Sequence, residues 1–340
     1  MMPSSKQPSL CSSRTFIVLV SVLVSLICLS VYIYCITVAK HYPFNQMQID
    51  SSMEIIDTKT MLNISLYQYI INEPDKCKDQ VPFFIFLITT VAKQVEQRQV
   101  IRNTWANKAN GNSTGVTIMH LFMLGFDKDT DSKFILNESQ TYHDIIQKDF
   151  QESYNNLTIK TVMGMEWISN YCPQSKYVMK TDSDMFVNTE YLLEMLQQNL
   201  PPKTNFFTGA VLRGSVPRRA KESKWYVPFS IYTENYYPNY CSGTGYVFSG
   251  DLAPKILRSS YKIKYLHLED VFIGLCLRKE SIDITYPPTS GLFNIYRVTF
   301  SPCSYYKLVT SHSMPSSEIL KNWQDMQEHK GQCSRYAYKF

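Results

Sequence analysis

The chain predicts an α/β fold built on a mostly parallel, doubly wound sheet. Two continuous apolar runs, Phe83–Thr90 and Met119–Gly125, have the length of strands buried on both faces. Stretches with helical spacing alternate with them, and a third β-prone run, Tyr177–Lys180, ends in two acids, Asp182 and Asp184. In order, Gln94–Ala106 predicts a helix, Met119–Gly125 a strand, Asn137–Phe150 and Leu157–Asn170 helices, and Tyr177–Lys180 a strand near the sheet centre. Glu190–Leu200 predicts a helix stopped by Pro201-Pro202, and Phe206–Gly209 and Gly245–Ser249 add strands in a less regular half rich in Tyr, Pro and Gly.

Composition narrows the class. The 340 residues are 44% hydrophobic, enough for a large core, and at 19% charged they are too apolar for a disordered chain. The net charge of +5 is spread without a basic run, so no nucleic acid partner is expected. Phe16–Val38 carries no charge, and as a helix it reaches about 34 Å, enough to span a bilayer. No small-residue cleavage site follows it, which points to an uncleaved signal anchor. Lys6 and Arg14 precede the span and Lys40 follows, favouring a cytoplasmic N-terminus and a lumenal body. The expected division is a cytoplasmic tail over 1–15, an anchor over 16–38, a polar stem over 39–76 and the lumenal domain over 77–340. Sequons at Asn63, Asn112, Asn137 and Asn156 all lie beyond the span. Six cysteines outside the anchor region, Cys77, Cys172, Cys241, Cys276, Cys303 and Cys333, show no zinc spacing and are expected as disulfides, pairing open.

The chemistry lies in four motifs. Lys180-Thr181-Asp182-Ser183-Asp184 puts paired carboxylates at a strand's carboxyl end, where open α/β sheets bind ligands. A carboxylate there can hold a divalent cation that grips a diphosphate. Arg98, Arg102 and Trp105 fit donor binding, since Arg pairs with anionic oxygens, although Trp105 is also a core candidate. Cys241-Ser242-Gly243-Thr244-Gly245-Tyr246 allows close backbone approach at Gly243 and Gly245, and equally describes a turn. Leu268-Glu269-Asp270-Val271 offers a general base, Asp270 being equally suited to cap a helix starting at Val271. Lys224-Trp225-Tyr226 suits an aromatic platform for a sugar ring or simple packing.

Taken together over roughly residues 82–333, these motifs resemble those of the β-1,3-galactosyltransferases, within a wider β-1,3-glycosyltransferase family that includes N-acetylglucosaminyltransferases. The resemblance implies a GT-A fold, a Golgi membrane protein of type II, and UDP-galactose as donor. It further implies Mn2+ and a glycan acceptor ending in N-acetylglucosamine. It makes Asp184 a metal ligand, with Asp182 acting through water or on the ribose, and brings His312 to the metal. It makes Asp270 the base, with Glu269 supporting. UDP-GlcNAc as donor, and a non-catalytic carbohydrate-binding protein of the same fold, are the alternatives. The chain departs from the family at Phe293-Asn294-Ile295-Tyr296-Arg297, where a His and a Trp are expected in place of Ile295 and Tyr296.

Overall fold

A computed structural model describes residues 25–30, 61–198 and 202–333. The chain divides into two units, 1–56 and 57–340. Of the first, residues 25–30 are described and helical. The rest of the expected anchor, and the tail, lie outside the described residues, among which no helix is long and apolar enough to cross a membrane.

The second unit is a three-layer α/β body. Its seven-stranded sheet comprises β1 (Tyr69–Ile71), β2 (Phe84–Thr89), β3 (Ile118–Phe126), β4 (Ile145–Gln151), β5 (Tyr177–Asp182), β7 (Phe207–Leu212) and β8 (Tyr240–Ser249). The order is β1-β4-β3-β2-β5-β8-β7, with β4, β3, β2 and β5 parallel and the outer strands antiparallel. From β2 the chain winds outward through β3 and β4, then returns to place β5 on the other flank of β2. That reversal opens a crevice at the strands' carboxyl ends, where Thr89 pairs with Asp182.

Every residue of β2 is buried, as its unbroken apolar run requires. Strand alternation sends Val178 toward a core with Trp167 and Phe272, and Tyr177 and Met179 toward one with Trp105, Leu192 and Ile319. The first core is covered by α3 (Leu157–Tyr171), α5 (Leu252–Ser260) and α6 (Glu269–Lys279); the second by α1 (Val95–Asn103), α4 (Thr189–Gln197) and α8 (Ser316–Glu328). A short ribbon, β6 (Phe186–Val187) with β9 (Thr310–Ser311), stitches the C-terminal segment to the acidic turn. The helices α2 (Ser132–Tyr142) and α7 (Pro302–Tyr305) complete the set.

Four expectations change. The helix over Asn137–Phe150 ends at Tyr142, because His143 turns left-handed at φ 52°, and β4 follows at once. Residues 61–76, expected in the stem, belong to the body: Leu62 and Ile64 are buried and β1 pairs with β4. Two disulfides form, Cys77–Cys172 and Cys303–Cys333, whereas Cys241 and Cys276 are buried free thiols. The helix expected from Val271 starts at Glu269, with Leu268 as its cap residue.

Arg98 and Arg102, expected at the donor, are built into the scaffold instead. Arg98 is wholly buried, bonding Glu138 at 2.8 and 2.6 Å and the carbonyls of Val91 and Ala92 at 2.7 and 3.1 Å. Arg102 bonds Asp144 at 2.8 and 2.9 Å and Glu138 at 2.8 Å, its guanidinium 4.0 Å from the Tyr142 ring. Burial opposes ionisation of Asp144, but its bonds to Arg102 and His120 outweigh that and hold the carboxyl well below its usual range. Asp144 therefore stabilises the fold above the ordinary carboxylate range, and that contribution fades as pH falls below it.

Glu138→Ala should leave Arg98 in the interior without a counter-charge, while Arg102 keeps Asp144, and cost about 3–5 kcal/mol, measured by urea denaturation. A loss below about 1 kcal/mol would mean that the arginines are not held by this carboxylate.

Candidate active site

The site grows from a lysine that follows the apolar start of β5. Lys180 and Asp182 are two apart on β5, so both side chains leave the same face. There the Lys180 Nζ donates to Asp182 Oδ1 at 2.8 Å, to the Gly243 carbonyl at 2.6 Å and to Glu269 Oε2 at 3.3 Å. Burial favours the neutral amine, but Asp182 and Glu269 outweigh it and hold Lys180 above its ordinary range. One ammonium thus ties the end of β5, the middle of β8 and the first residue of α6.

Glu269 is buried, and its other oxygen accepts from the Tyr246 hydroxyl at 2.6 Å. Burial raises it above the usual carboxylate range, Lys180 opposing. Asp270, one residue on, is half-buried in the first turn of α6. Its carboxylate accepts from the Val271 N–H at 2.8 Å and the Gly243 N–H at 3.3 Å, in the favourable field of a helix N-terminus. Burial nevertheless leaves it raised. Glu269 is consumed by structure, while Asp270 has no cation bonded to it among the described residues and keeps access to the cleft.

Gly243 and Gly245 serve this packing rather than presenting a nucleotide loop. A Cβ on Gly243 would lie 2.7 Å from Glu269 Oε2, and one on Gly245 would meet the Met179 methyl at 3.0 Å. Glycine here lets β8 pass close to α6 and β5.

On the other flank, Asp184 stands 47% exposed, with Oδ2 3.3 Å from His312 Nε2. Pairing of Phe186 with Ser311 brings these distant residues together, and the Met314 N–H donates to the Asp184 carbonyl at 2.8 Å. His312 Nδ1 lies 3.0 Å from the Ile295 carbonyl, so Nδ1 carries a proton and Nε2 faces the carboxylate. An imidazole nitrogen and a carboxylate oxygen this close need a positive charge between them, a proton or a cation. The bond from Asp184 raises His312 above the usual imidazole range. This oxygen and nitrogen pair suits a divalent metal. Asp182 stands apart from it, Oδ1 taken by Thr89 at 2.6 Å and by Lys180. Among the described residues no three His, Cys, Asp or Glu side chains form a metal cluster.

A cavity of about 510 Å³ lies beside the Ile295 segment that braces His312, walled by β7, Arg213 and the stretch from Tyr286 to Val298, including Asn294, Ile295 and Tyr296. The segment that departs from the family pattern is therefore a cavity wall. Trp105 is fully buried against Phe86, a core residue. Sequence reasoning did not single out Lys180, whose signal was a lone cation in a buried run two residues before an acid.

Comparison with known proteins identifies the family. A family model described as galactosyltransferase matches residues 96–288, and one described as the N-terminus of β-1,3-galactosyltransferase 2 matches residues 46–85. Human β-1,3-galactosyltransferase 2 is 50% identical over 277 residues, 80% of this chain and 65% of that protein. Mouse β-1,3-galactosyltransferase 1 is 43% identical over 271 residues, 79% of this chain and 81% of that protein. The chain thus spans about two thirds of the type 2 relatives' length. The apo structure of the bifunctional glycosyltransferase WbbM aligns over 74% of this chain and 52% of its own at TM-score 0.40 and 12% identity, too loosely to carry an argument. With matches of this identity and extent, the chain belongs to the β-1,3-galactosyltransferase family.

Proposed function

We propose that this protein transfers galactose from UDP-galactose to the 3-hydroxyl of a terminal β-linked N-acetylglucosamine on a glycan, with inversion at the anomeric carbon. The reading also takes the protein as a single-pass type II membrane protein with its body in the Golgi lumen. Supporting that placement are the uncharged stretch 16–38, the sequons beyond it and the two disulfides. The observation that carries the reaction is the Lys180 hub, which joins the acidic turn of β5 to the Glu269–Asp270 end of α6.

Asp184 and His312 are the residues that would hold Mn2+, which when bound supplies charge to neutralise a departing diphosphate. Asp270 takes the proton from the acceptor 3-hydroxyl as that oxygen attacks the anomeric carbon. The bond from the anomeric carbon to the phosphate oxygen breaks, and UDP leaves from the opposite face. A single displacement of this kind needs one base. Glu269, held by Lys180 and Tyr246, keeps the start of α6 in place without meeting substrate. Family likeness supports galactose as donor; the altered wall at Ile295 and Tyr296 bears on the acceptor.

Incubation of the protein with UDP-galactose or UDP-GlcNAc, an N-acetylglucosamine acceptor, and Mn2+ or chelator tests the reading; turnover with UDP-GlcNAc alone would reject it. Asp184→Ala should weaken Mn2+-dependent UDP-galactose binding, while Asp270→Asn should keep binding and lower turnover by about 10²–10⁴-fold. Equal loss of binding in both would reverse these assignments.

Because burial raises Asp270, and a base works only when deprotonated, kcat should fall on acidification with a midpoint above the value of about 3.9 for an exposed aspartate. An acid limb unchanged in Asp270→Asn would assign it to another group. Lys180→Met should lower kcat more than it raises the KM for UDP-galactose, and Lys180→Arg should recover part of the loss. An unchanged kcat in Lys180→Met would remove the hub from catalysis.

A further inference from the structure

We propose that Trp225 and Tyr154 form a stacking platform for the second sugar of the acceptor, the ring to which the reacting N-acetylglucosamine is attached. This rests on the galactosyl transfer proposed above and extends it to the size of acceptor the site grips. Of the four tryptophans, Trp105, Trp167 and Trp323 are buried, whereas Trp225 is 47% exposed; Tyr154 is 45% exposed. Exposure alone does not single these rings out, because Phe229, Tyr236 and Tyr296 stand further into water.

Their placement does. Tyr154 sits in a single 3₁₀ turn, Tyr154–Asn156, pinned from both sides: the Tyr265 hydroxyl donates to the Asn155 carbonyl, and the Thr158 hydroxyl to the Leu266 carbonyl at 2.7 Å. The segment carrying Trp225 is joined to the same stretch, where His267 bonds the Lys224 backbone. Residues 265–267 run straight into Glu269 and Asp270, so both rings hang on the strap that delivers the base. The Lys224 ammonium lies 5.6 Å from the Tyr154 ring centre and 4.8 Å from that of Trp225, gathering the rings into one cluster. The Tyr154 hydroxyl also lies within the field of Asp270, Asp182 and Glu269.

A pyranose has an apolar face of C–H groups edged by hydroxyls, and it matches a pair of exposed rings with an ammonium beside them. The ring undergoing reaction must present its 3-hydroxyl to Asp270, and the donor side is occupied by Asp184 and His312. The platform, reached from the Asp270 side, is left for the next sugar along the acceptor.

The test uses the full chain in detergent, UDP-galactose, and two acceptors: an alkyl β-N-acetylglucosaminide and a trisaccharide ending in β-linked N-acetylglucosamine. Trp225→Ala should raise the KM for the trisaccharide about 5–10-fold more than for the monosaccharide, as expected for one lost stacking contact. Tyr154→Ala should show the same selectivity, and Trp225→Phe should recover most of it. If wild type transfers galactose but the variants shift both acceptors alike, or neither, the platform is overturned and the reaction stands. If wild type transfers galactose to neither acceptor, the reaction proposed above falls, and the platform with it.

Discussion

A buried ammonium is costly, and at Lys180 the cost is met by two carboxylates and a backbone carbonyl from three separate parts of the chain. The position is available because β5 is central: Lys180 and Asp182 leave the same face, and the antiparallel neighbour β8 brings Gly243 alongside. Only glycine there lets Glu269 approach so closely. The arrangement also sorts the carboxylates. Glu269 and one oxygen of Asp182 are spent on Lys180, whereas Asp270 and Asp184 remain open to the cleft. Two of the four acids are thus held by the buried ammonium, and the other two are left without a Lys or Arg partner among the described residues.

The Asp184–His312 pair is braced independently. The β6–β9 ribbon aligns Phe186 with Ser311, and Cys303–Cys333 staples the segment that follows β9 back to the short α7 before it. His312 is reached only through this C-terminal return, although Asp184 sits on a turn set by the central sheet. Loss of the ribbon would separate a donor pair whose members lie 128 positions apart while leaving the Lys180 hub intact. The two halves of the site therefore depend on different parts of the fold.

The strands β2, β3 and β5 were legible because strands buried on both faces must be apolar throughout. Strand β4 was not: Gln147 and Lys148 are polar, and their burial depends on the Gly125 carbonyl and on Glu166, partners no local pattern reveals. Of the acidic motifs, Asp182 and Glu269 meet at Lys180 and Asp184 meets His312, contacts between segments far apart in the chain. The arginines misled because Arg suits an anionic ligand and a buried carboxylate equally well, and only the fold places Glu138 and Asp144 beneath Arg98 and Arg102. Lys180 was passed over since its worth comes from Gly243 and Glu269, more than 60 residues away.

The departure at Ile295 and Tyr296 acquires a physical meaning from how His312 is held. The ring nitrogen is braced by the Ile295 carbonyl and the His312 N–H by the Tyr296 carbonyl, both backbone groups indifferent to the side chains that carry them. Those side chains instead face the adjoining cavity, with Tyr296 77% exposed. Exchange of the family's His and Trp for Ile and Tyr can therefore reshape and recharge the cavity wall without moving the imidazole. The backbone path thus holds His312 while the side chains shape the cavity wall, so the two can vary separately along the same few residues.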